Sequence, residues 1–212
     1  MESTGIYHLS LCLYLEKKRR LYSVANPLQV KRYIQMQLEP SKSDRKDAKH
    51  ICMFGIERNP EPFIMPEQDY FDCRSINNAI ESITTEITLF TNKIHALKRQ
   101  NLTHKIVQKS YQRIVRELKK ERKNLQKQLN TRLQQWHPEL VELISSVIGI
   151  GQRATSLLII ATQGFKYTES YQQLISFVGL NPKEYTSGSS IRGRVRISKL
   201  GHSKLRNTLY MC

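Results

Sequence analysis

The sequence contains no apolar run near the roughly 18 residues that a membrane-spanning helix needs. Its first residues lack the basic start and apolar stretch of a secretory signal peptide. Only four cysteines occur, and none forms a C-x-x-C pair, which argues against a disulfide framework and against a zinc knuckle. These absences predict a soluble intracellular protein with no membrane partner, whose thiols are buried or incidental.

Acidic residues are also scarce. The chain has 34 Lys and Arg against 18 Asp and Glu, which gives a net charge of +16. Residues 93–132 hold 13 basic and 2 acidic residues, and residues 183–206 hold 7 and 1, whereas the rest of the chain holds 14 and 15. Because two segments carry the whole imbalance, the sequence predicts two surfaces for a polyanion such as nucleic acid.

Glycine is absent from residues 56–148. This stretch begins with Pro60, Pro62 and Pro66, which predict an extended linker over residues 61–74. Residues 75–137 are then predicted to form a coiled-coil arm of two long helices, joined by a polar turn near residues 99–104. The helices would pack on each other or on a second subunit. The apolar seam that predicts the first helix consists of Ile76, Ile80, Ile83, Ile87, Phe90, Ile94 and Leu97.

The second of these helices has a strongly basic polar face, which includes Lys119, Lys120, Lys123 and Lys127. A solvated face is the ordinary explanation for such a stripe. Here, however, the lysines have no acidic partner four residues further on, so they gain little within the helix. The nearly uniform sign therefore favours contact with phosphates.

The first 60 residues have an α/β rhythm. The pattern predicts a helix over residues 6–16, a strand over residues 21–25, and further helices from Pro27 and from Asp44. These are too few strands to close a sheet, so the segment predicts only part of an α/β domain. Glu2, Asp44 and Asp47 are candidate Mg²⁺ ligands, because a spacing of three places the two aspartates on one helical face. Alternatively, Asp44 caps the helix and Asp47 is a first-turn acid.

Residues 138–212 predict a mostly helical C-terminal domain. Gly149 and Gly151 lie two apart between apolar helical segments, which is the pattern of a helix-hairpin-helix. In that motif the tight turn offers backbone N–H groups to a DNA phosphate. An ordinary turn between two helices is the alternative.

The densest segment follows near the end of the chain. Hydroxyl residues surround Gly188, and Arg192, Arg194 and Arg196 alternate after it. Period-two alternation predicts an extended ribbon with all three arginines on one face, and a flexible Ser/Gly loop is the alternative. A serine nucleophile needs an activating group, and the arginines and His202 are the local candidates. Lys199 and Lys204 extend the basic surface.

Taken in order, the segments resemble the transposases of the insertion sequence 110 family, which are RNA-guided DNA recombinases of mobile elements. The resemblance implies a RuvC-like, RNase-H-fold domain with an Asp-Glu-Asp-Asp metal site, a coiled-coil dimerisation arm and a C-terminal transposase domain. The matching blocks are E-S-T-G-I-Y (2–7), N-P (26–27), S-D-R-K-D-A (43–48), I-G-I-G (148–151), F-V-G-L-N-P (177–182), Y-T-S-G-S-S-I-R-G (185–193) and I-S-K-L-G-H-S-K-L-R (197–206).

By this resemblance, Glu2 matches the second acidic ligand of a Mg²⁺ site, and Asp44 and Asp47 match the third and fourth. Ser187 matches the nucleophile that forms a covalent serine–DNA intermediate before strand exchange. The implied partners are DNA, a structured guide RNA that selects the sites by base pairing, and a second copy of the chain, with tetramers on DNA. The implied location is the prokaryotic cytoplasm, at the nucleoid.

The family's first aspartate and leading strands have no counterpart here, so the resemblance predicts a chain shortened at both ends, with weakened metal binding. This leaves two alternatives to an active recombinase. One is a catalytically inactive remnant that acts only as a nucleic-acid-binding dimer. The other is a basic coiled-coil interaction protein without a nucleic-acid role, against which the ordered blocks argue.

Overall fold

The computed structural model describes residues 1–3, 7–38, 43–99, 105–183, 186–187, 191–192 and 194–212. The chain divides into two compact units, Met1–Met65 and Pro66–Cys212. This division falls inside the proline cluster, where the sequence predicts a linker. No helix in the described ranges is long and apolar enough to cross a membrane.

Among its described residues the first unit has three helices, α1 (Tyr7–Lys17), α2 (Pro27–Met36) and α3 (Asp44–Arg58). The helices predicted from Pro27 and from Asp44 are therefore confirmed. Asn26 caps α2 by accepting a hydrogen bond from the Leu28 N–H at 2.9 Å, and proline follows at the first helical position, where its missing N–H costs nothing.

The predicted strand over residues 21–25 is reduced to one parallel bridge, between Glu2 and Ala25. The Ser3 N–H donates to the Ala25 carbonyl at 3.0 Å, and the Ala25 N–H donates to the Met1 carbonyl at 2.7 Å. Helix α1 thus lies in the chain between two parallel segments that are joined by a single bridge. The finer assignment to a RuvC-like fold stays a prediction.

The second unit begins with two long helices, α4 (Gln68–Arg99) and α5 (Lys105–Trp136). They pack along each other in antiparallel directions, as the Phe90 and Tyr111 rings, 5.5 Å apart, and the Arg132–Asp72 ion pair at 2.6 Å show. Helix α4 starts at residue 68, whereas the sequence predicts a start at residue 75. The earlier start is possible because no proline follows residue 66 until residue 138. Of the polar turn predicted near residues 99–104, Arg99 is the last residue of α4, and residues 100–104 lie outside the described residues.

Four shorter helices complete this unit: α6 (Pro138–Ser145), α7 (Gln152–Thr162), α8 (Tyr171–Val178) and α9 (Ser203–Tyr210). Helix α7 lies at the centre of the core, with eight of its residues buried. The buried Ser156 and Thr162 hydroxyls each donate to a carbonyl one turn earlier, at 2.8 Å, so these polar groups are satisfied. Leu133 of α5 and Leu205 of α9 belong to the same core cluster.

Between α8 and α9 lie four two-residue strands, β1 (Pro182–Lys183), β2 (Thr186–Ser187), β3 (Ile191–Arg192) and β4 (Arg196–Ile197). β1 pairs with β4, and β2 pairs with β3, both antiparallel. The inner pair is nested within the outer pair, so together they form one hairpin. We call residues 182–197 the serine hairpin.

Candidate functional site

Ser187 ends β2, at the last paired position before the tip of the serine hairpin. Its backbone lies opposite Ile191, and Thr186 lies opposite Arg192. The structure describes Ser187 and Arg192 by their backbone, and the tip itself, residues 188–190, lies outside the described residues. The serine that the resemblance assigns as nucleophile thus lies beside the tip of a hairpin.

The arginines of this hairpin do not share one continuous strand, contrary to the sequence prediction. Lys183 pairs with Arg196, and Thr186 pairs with Arg192. In the sequence, two residues (184–185) lie between these pairs on the first side of the hairpin, and three (193–195) lie between them on the second side. Arg192 and Arg196 therefore belong to different strands, each with its own partner. Arg194 lies between β3 and β4, and both Arg194 and Arg196 are exposed.

The base of the serine hairpin is fixed to helix α8 by backbone hydrogen bonds. The Ser198 N–H donates to the Asn181 carbonyl at 2.8 Å, and the His202 N–H donates to the Phe177 carbonyl at 2.9 Å. This brings the F-V-G-L-N-P and I-S-K-L-G-H blocks of the sequence into direct contact. The hairpin therefore projects from a rigid base rather than from a free loop.

Two glycines allow this contact. Gly179 ends α8 with φ +79, and Gly201 has φ +146, a region essentially reserved for glycine. A Cβ at Gly201 would lie 2.4 Å from the Phe177 carbonyl oxygen and 2.8 Å from the Gly179 nitrogen. The backbone before α9 can approach the end of α8 only because neither side carries a side chain there.

His202 is a helix cap, which limits its role as a base for Ser187. Its Nδ1 accepts a hydrogen bond from the Leu205 N–H at 3.1 Å and so caps α9. Burial lowers the pKa of His202 below its ordinary value of 6.5; Lys204 lowers the pKa further, whereas the backbone hydrogen bond and Glu81 raise it. The imidazole is therefore neutral at pH 7, with Nδ1 committed to its own helix.

We expect the stability of the second unit to decrease as the pH falls below about 6.5. A histidine whose pKa is lower in the folded protein binds a proton more readily in the unfolded chain. Its contribution to the free energy of unfolding is therefore complete above a pH of about 6.5 and is lost as the pH falls below that value. The loss is limited to the worth of one cap, about 1 kcal/mol. Urea unfolding followed by Trp136 fluorescence at pH 7.5 and pH 5.5 measures it.

The control for this prediction is His202→Asn, because asparagine caps helices well and does not titrate in this range. This variant should lose less stability on acidification than the wild-type protein, and the exposed His95→Asn should behave like wild type. Equal pH dependence in wild type and His202→Asn would contradict the prediction.

The acidic residues that the structure describes in the first unit do not by themselves form a metal-binding group. Within the described part of the chain, no group of three His, Cys, Asp or Glu side chains could hold a metal ion, so Glu2, Asp44 and Asp47 are not brought together as a ligand set. The predicted cap is also corrected: Ser43 caps α3 by accepting from the Lys46 N–H at 3.4 Å. Asp44 and Asp47 both lie in the first turn, where the helix dipole stabilises carboxylates.

The turn between α6 and α7 has the backbone shape that the I-G-I-G pattern predicts. Gly149 has φ +94, and Gly151 is the extended N-cap of α7 without a side-chain cap. Both glycines are exposed. The helix-hairpin-helix assignment and its contact with a phosphate both stay predictions.

The basic residues divide into exposed and internally paired groups. Lys119, Lys120, Lys123 and Lys127 of α5 are exposed, as is Lys199. Lys204 is exposed as well, but it forms an ion pair with Glu81 of α4. Arg206 donates from Nη1 to the Val178 carbonyl at 2.8 Å and so completes the end of α8. The sequence did not single out Glu81, nor Gly179 and Gly201, although both glycines lie in motif blocks that match the family.

Two family models match this chain. A DEDD transposase model of the IS110 type matches residues 1–101, and the model described as "Transposase IS116/IS110/IS902 family" matches residues 141–212. Among curated proteins, the pilin gene-inverting proteins of Moraxella bovis and Moraxella lacunata are 26% and 25% identical over the whole chain. The chain spans 64% of the length of each. With both ends of the chain matched by models of one family, in the order that the sequence motifs predict, the chain belongs to the IS110 family of transposases.

Proposed function

We propose that this chain is a DNA recombinase that acts through Ser187. The observation that carries the proposal is the serine hairpin. Its base is fixed between α8 and α9, and the residue that matches the family's nucleophile lies beside its tip. A nucleophile must be held in a defined position to gain from proximity, and a hairpin with a rigid base provides this.

In the proposed reaction the Ser187 Oγ attacks the phosphorus of a phosphodiester. A Ser–O–P bond forms, one P–O ester bond breaks, and the released sugar oxygen takes up a proton as the serine loses one. The exposed Arg194 and Arg196 supply positive charge close in sequence to the reacting group, where it would stabilise the growing charge on the phosphate oxygens. Attack on the new ester by a second DNA end would complete strand exchange.

A divalent metal is usual in DEDD transposases. The described residues do not supply a set of three ligands for it, so no step of the proposed reaction passes through a metal. If Glu2, Asp44 and Asp47 contribute to a Mg²⁺ site, the set must be completed by groups outside the described residues.

The test is formation of a covalent protein–DNA adduct. The protein is incubated with a structured RNA and DNA ends from its own element, and adducts are detected as species that survive denaturing electrophoresis. Peptide mapping should place the DNA on the segment that contains Ser187. An adduct on a different segment, or none under any divalent cation, would contradict the proposal.

The second candidate function is nucleic-acid binding without catalysis, by a dimer that forms through α4 and α5. The absence of a three-ligand group among the described residues favours it. The exposed lysines of α5 would then hold the backbone of RNA or DNA, and base pairing with a guide would supply the sequence specificity. Both candidates require nucleic-acid binding, and only the first requires the adduct.

We expect the α5 lysines to account for much of the salt dependence of binding. Changing Lys119, Lys120, Lys123 and Lys127 together to glutamine should reduce the slope of log affinity against log salt by about 0.9 for each lost contact with duplex DNA, or up to about 3.6. Fluorescence anisotropy at several salt concentrations measures the slope.

The matched control changes four exposed lysines of the first unit to glutamine, Lys17, Lys18, Lys31 and Lys49. It removes the same charge from outside the two basic segments. If both quadruple variants lower the slope equally, the effect comes from net charge alone and the α5 surface has no special role.

A further inference from the structure

A groove runs across the second unit beside α4, α5, α7 and α9. It consists of three clefts of about 470, 260 and 430 Å³, and Glu81 of α4 lines all three. Arg153 lines two of them, and Lys204 lines two. These shared residues make the three clefts neighbours, and we refer to the clefts together as the Glu81 groove.

The charged lining of the Glu81 groove is mainly basic. Arg74, Arg153 and Lys204 line it, and all three residues are exposed. Amide and hydroxyl side chains, such as those of Asn77 and Asn207, fill the spaces between them. Cations interleaved with neutral hydrogen-bonding groups are the usual partners of phosphate and sugar oxygens in nucleic-acid complexes.

Glu81 is the one carboxylate among the residues that line these clefts. Its side chain is 23% exposed, whereas that of its partner Lys204 is 64% exposed. The carboxylate thus lies at the floor of the groove and holds the Lys204 ammonium with an oxygen. A phosphate oxygen entering from solvent would offer the same ammonium an equivalent anionic partner.

We propose that the Glu81 groove binds a stretch of the phosphodiester backbone of a nucleic acid, and that Glu81 occupies the place of one phosphate until the strand binds. This inference rests on the proposed nucleic-acid binding and assigns it a location. Arg153 and Lys204 contact phosphates, while Glu81 competes for Lys204 and so weakens non-specific binding. None of the four α5 lysines, and neither Arg194 nor Arg196, lines these clefts.

The first test removes the competitor. Glu81→Gln keeps the shape of the side chain and should raise the affinity for a 30-base-pair duplex of arbitrary sequence about two- to fivefold. Glu86→Gln is the matched control, because it removes the same charge from an exposed position of the same helix that does not line the groove. A larger gain for Glu81→Gln than for Glu86→Gln supports the proposal, and equal gains overturn it.

The second test uses the coupling between the two partners. In a Lys204→Gln background, Glu81→Gln should raise the affinity for the duplex no more than Glu86→Gln does, because the cation for which Glu81 competes is gone. Arg153→Gln and Lys204→Gln should each lower the salt slope by about 0.9 on duplex DNA and about 0.7 on single strands. The proposal would be overturned if Glu81→Gln and Lys204→Gln had additive effects on affinity and the basic-residue variants left the salt slope unchanged.

The outcomes separate this inference from the function on which it rests. If the wild-type protein binds neither a duplex nor single-stranded RNA at low salt, both the proposed function and the groove fail. If wild-type binding is normal and the groove variants match their controls, only the groove fails. Running the duplex and the single-stranded RNA in parallel shows which backbone the groove prefers.

Discussion

Replacing Gly201 with alanine is expected to destabilise the second unit by about 3 kcal/mol or more, a roughly hundredfold change in its folding equilibrium. The backbone at this residue has φ +146, a conformation that costs an L-residue about 1 to 3 kcal/mol. The new methyl group would also lie 2.4 Å from the Phe177 carbonyl oxygen and 2.9 Å from the Val178 carbonyl carbon.

These two costs add because the neighbouring atoms cannot move aside. They belong to the backbone at the end of α8, which is held by the buried Val178 and by the hydrogen bond from Arg206. Relief requires α8 and α9 to separate, which breaks the His202–Phe177 hydrogen bond at the base of the serine hairpin. The variant should therefore also lose the proposed adduct formation at Ser187, even at temperatures where it remains folded.

Urea unfolding followed by fluorescence of Trp136, the single tryptophan, measures this prediction. The indole belongs to the packed shell of the core of the second unit, so its signal reports on that unit. Gly151→Ala is the control: φ there is −84 and no atom lies within 4 Å of the added carbon. It should cost only about 0.5 kcal/mol. Similar losses at both positions would mean that the close approach at Gly201 is not what requires glycine.

Changing Ser187 to alanine is expected to abolish the covalent adduct while nucleic-acid binding stays within about twofold of wild type. An alanine has no oxygen to form an ester with phosphorus, and no other group can replace a missing nucleophile at the same position. The backbone pairing of Ser187 with Ile191 does not depend on the side chain, so the serine hairpin should still form. Denaturing electrophoresis and anisotropy give the two measurements.

Ser198→Ala is the matched control, because it makes the same substitution at the base of the same hairpin. The Ser198 backbone N–H, not its side chain, makes the bond to Asn181, so this variant should form adduct normally. Adduct formation by Ser187→Ala would show that a different hydroxyl attacks. Loss of both adduct and binding would show instead that the substitution disturbs the hairpin.

The sequence predicted the helices well where a strong local pattern existed. The steps of three and four along Ile76 to Leu97 fixed a helix because an apolar stripe must face a partner. Asn26-Pro27 marked the start of α2 through local hydrogen bonding and a fixed φ. The cap of α3 was placed one residue late, since Ser43 and Asp44 are both good caps and only the hydrogen bond to Lys46 distinguishes them.

The candidate site was harder to predict, because its parts are joined across the chain. The pattern of arginines at 192, 194 and 196 indicated an extended segment, but an extra residue on one side of a hairpin depends on the partner strand. Likewise, spacing placed Asp44 and Asp47 on one face of α3, but no spacing could tell whether Glu2 completes a ligand set with them.

By itself the sequence determined the family, the helical character of most of the chain and the two segments that carry the net charge of +16, because these follow from residue order and composition. Only the tertiary structure decided that α4 and α5 pack on each other, that Gly179 and Gly201 fix the serine hairpin, and that Lys204 is paired with Glu81. These last features join residues up to 123 positions apart, and contacts at that separation depend on how the whole core packs rather than on any local pattern.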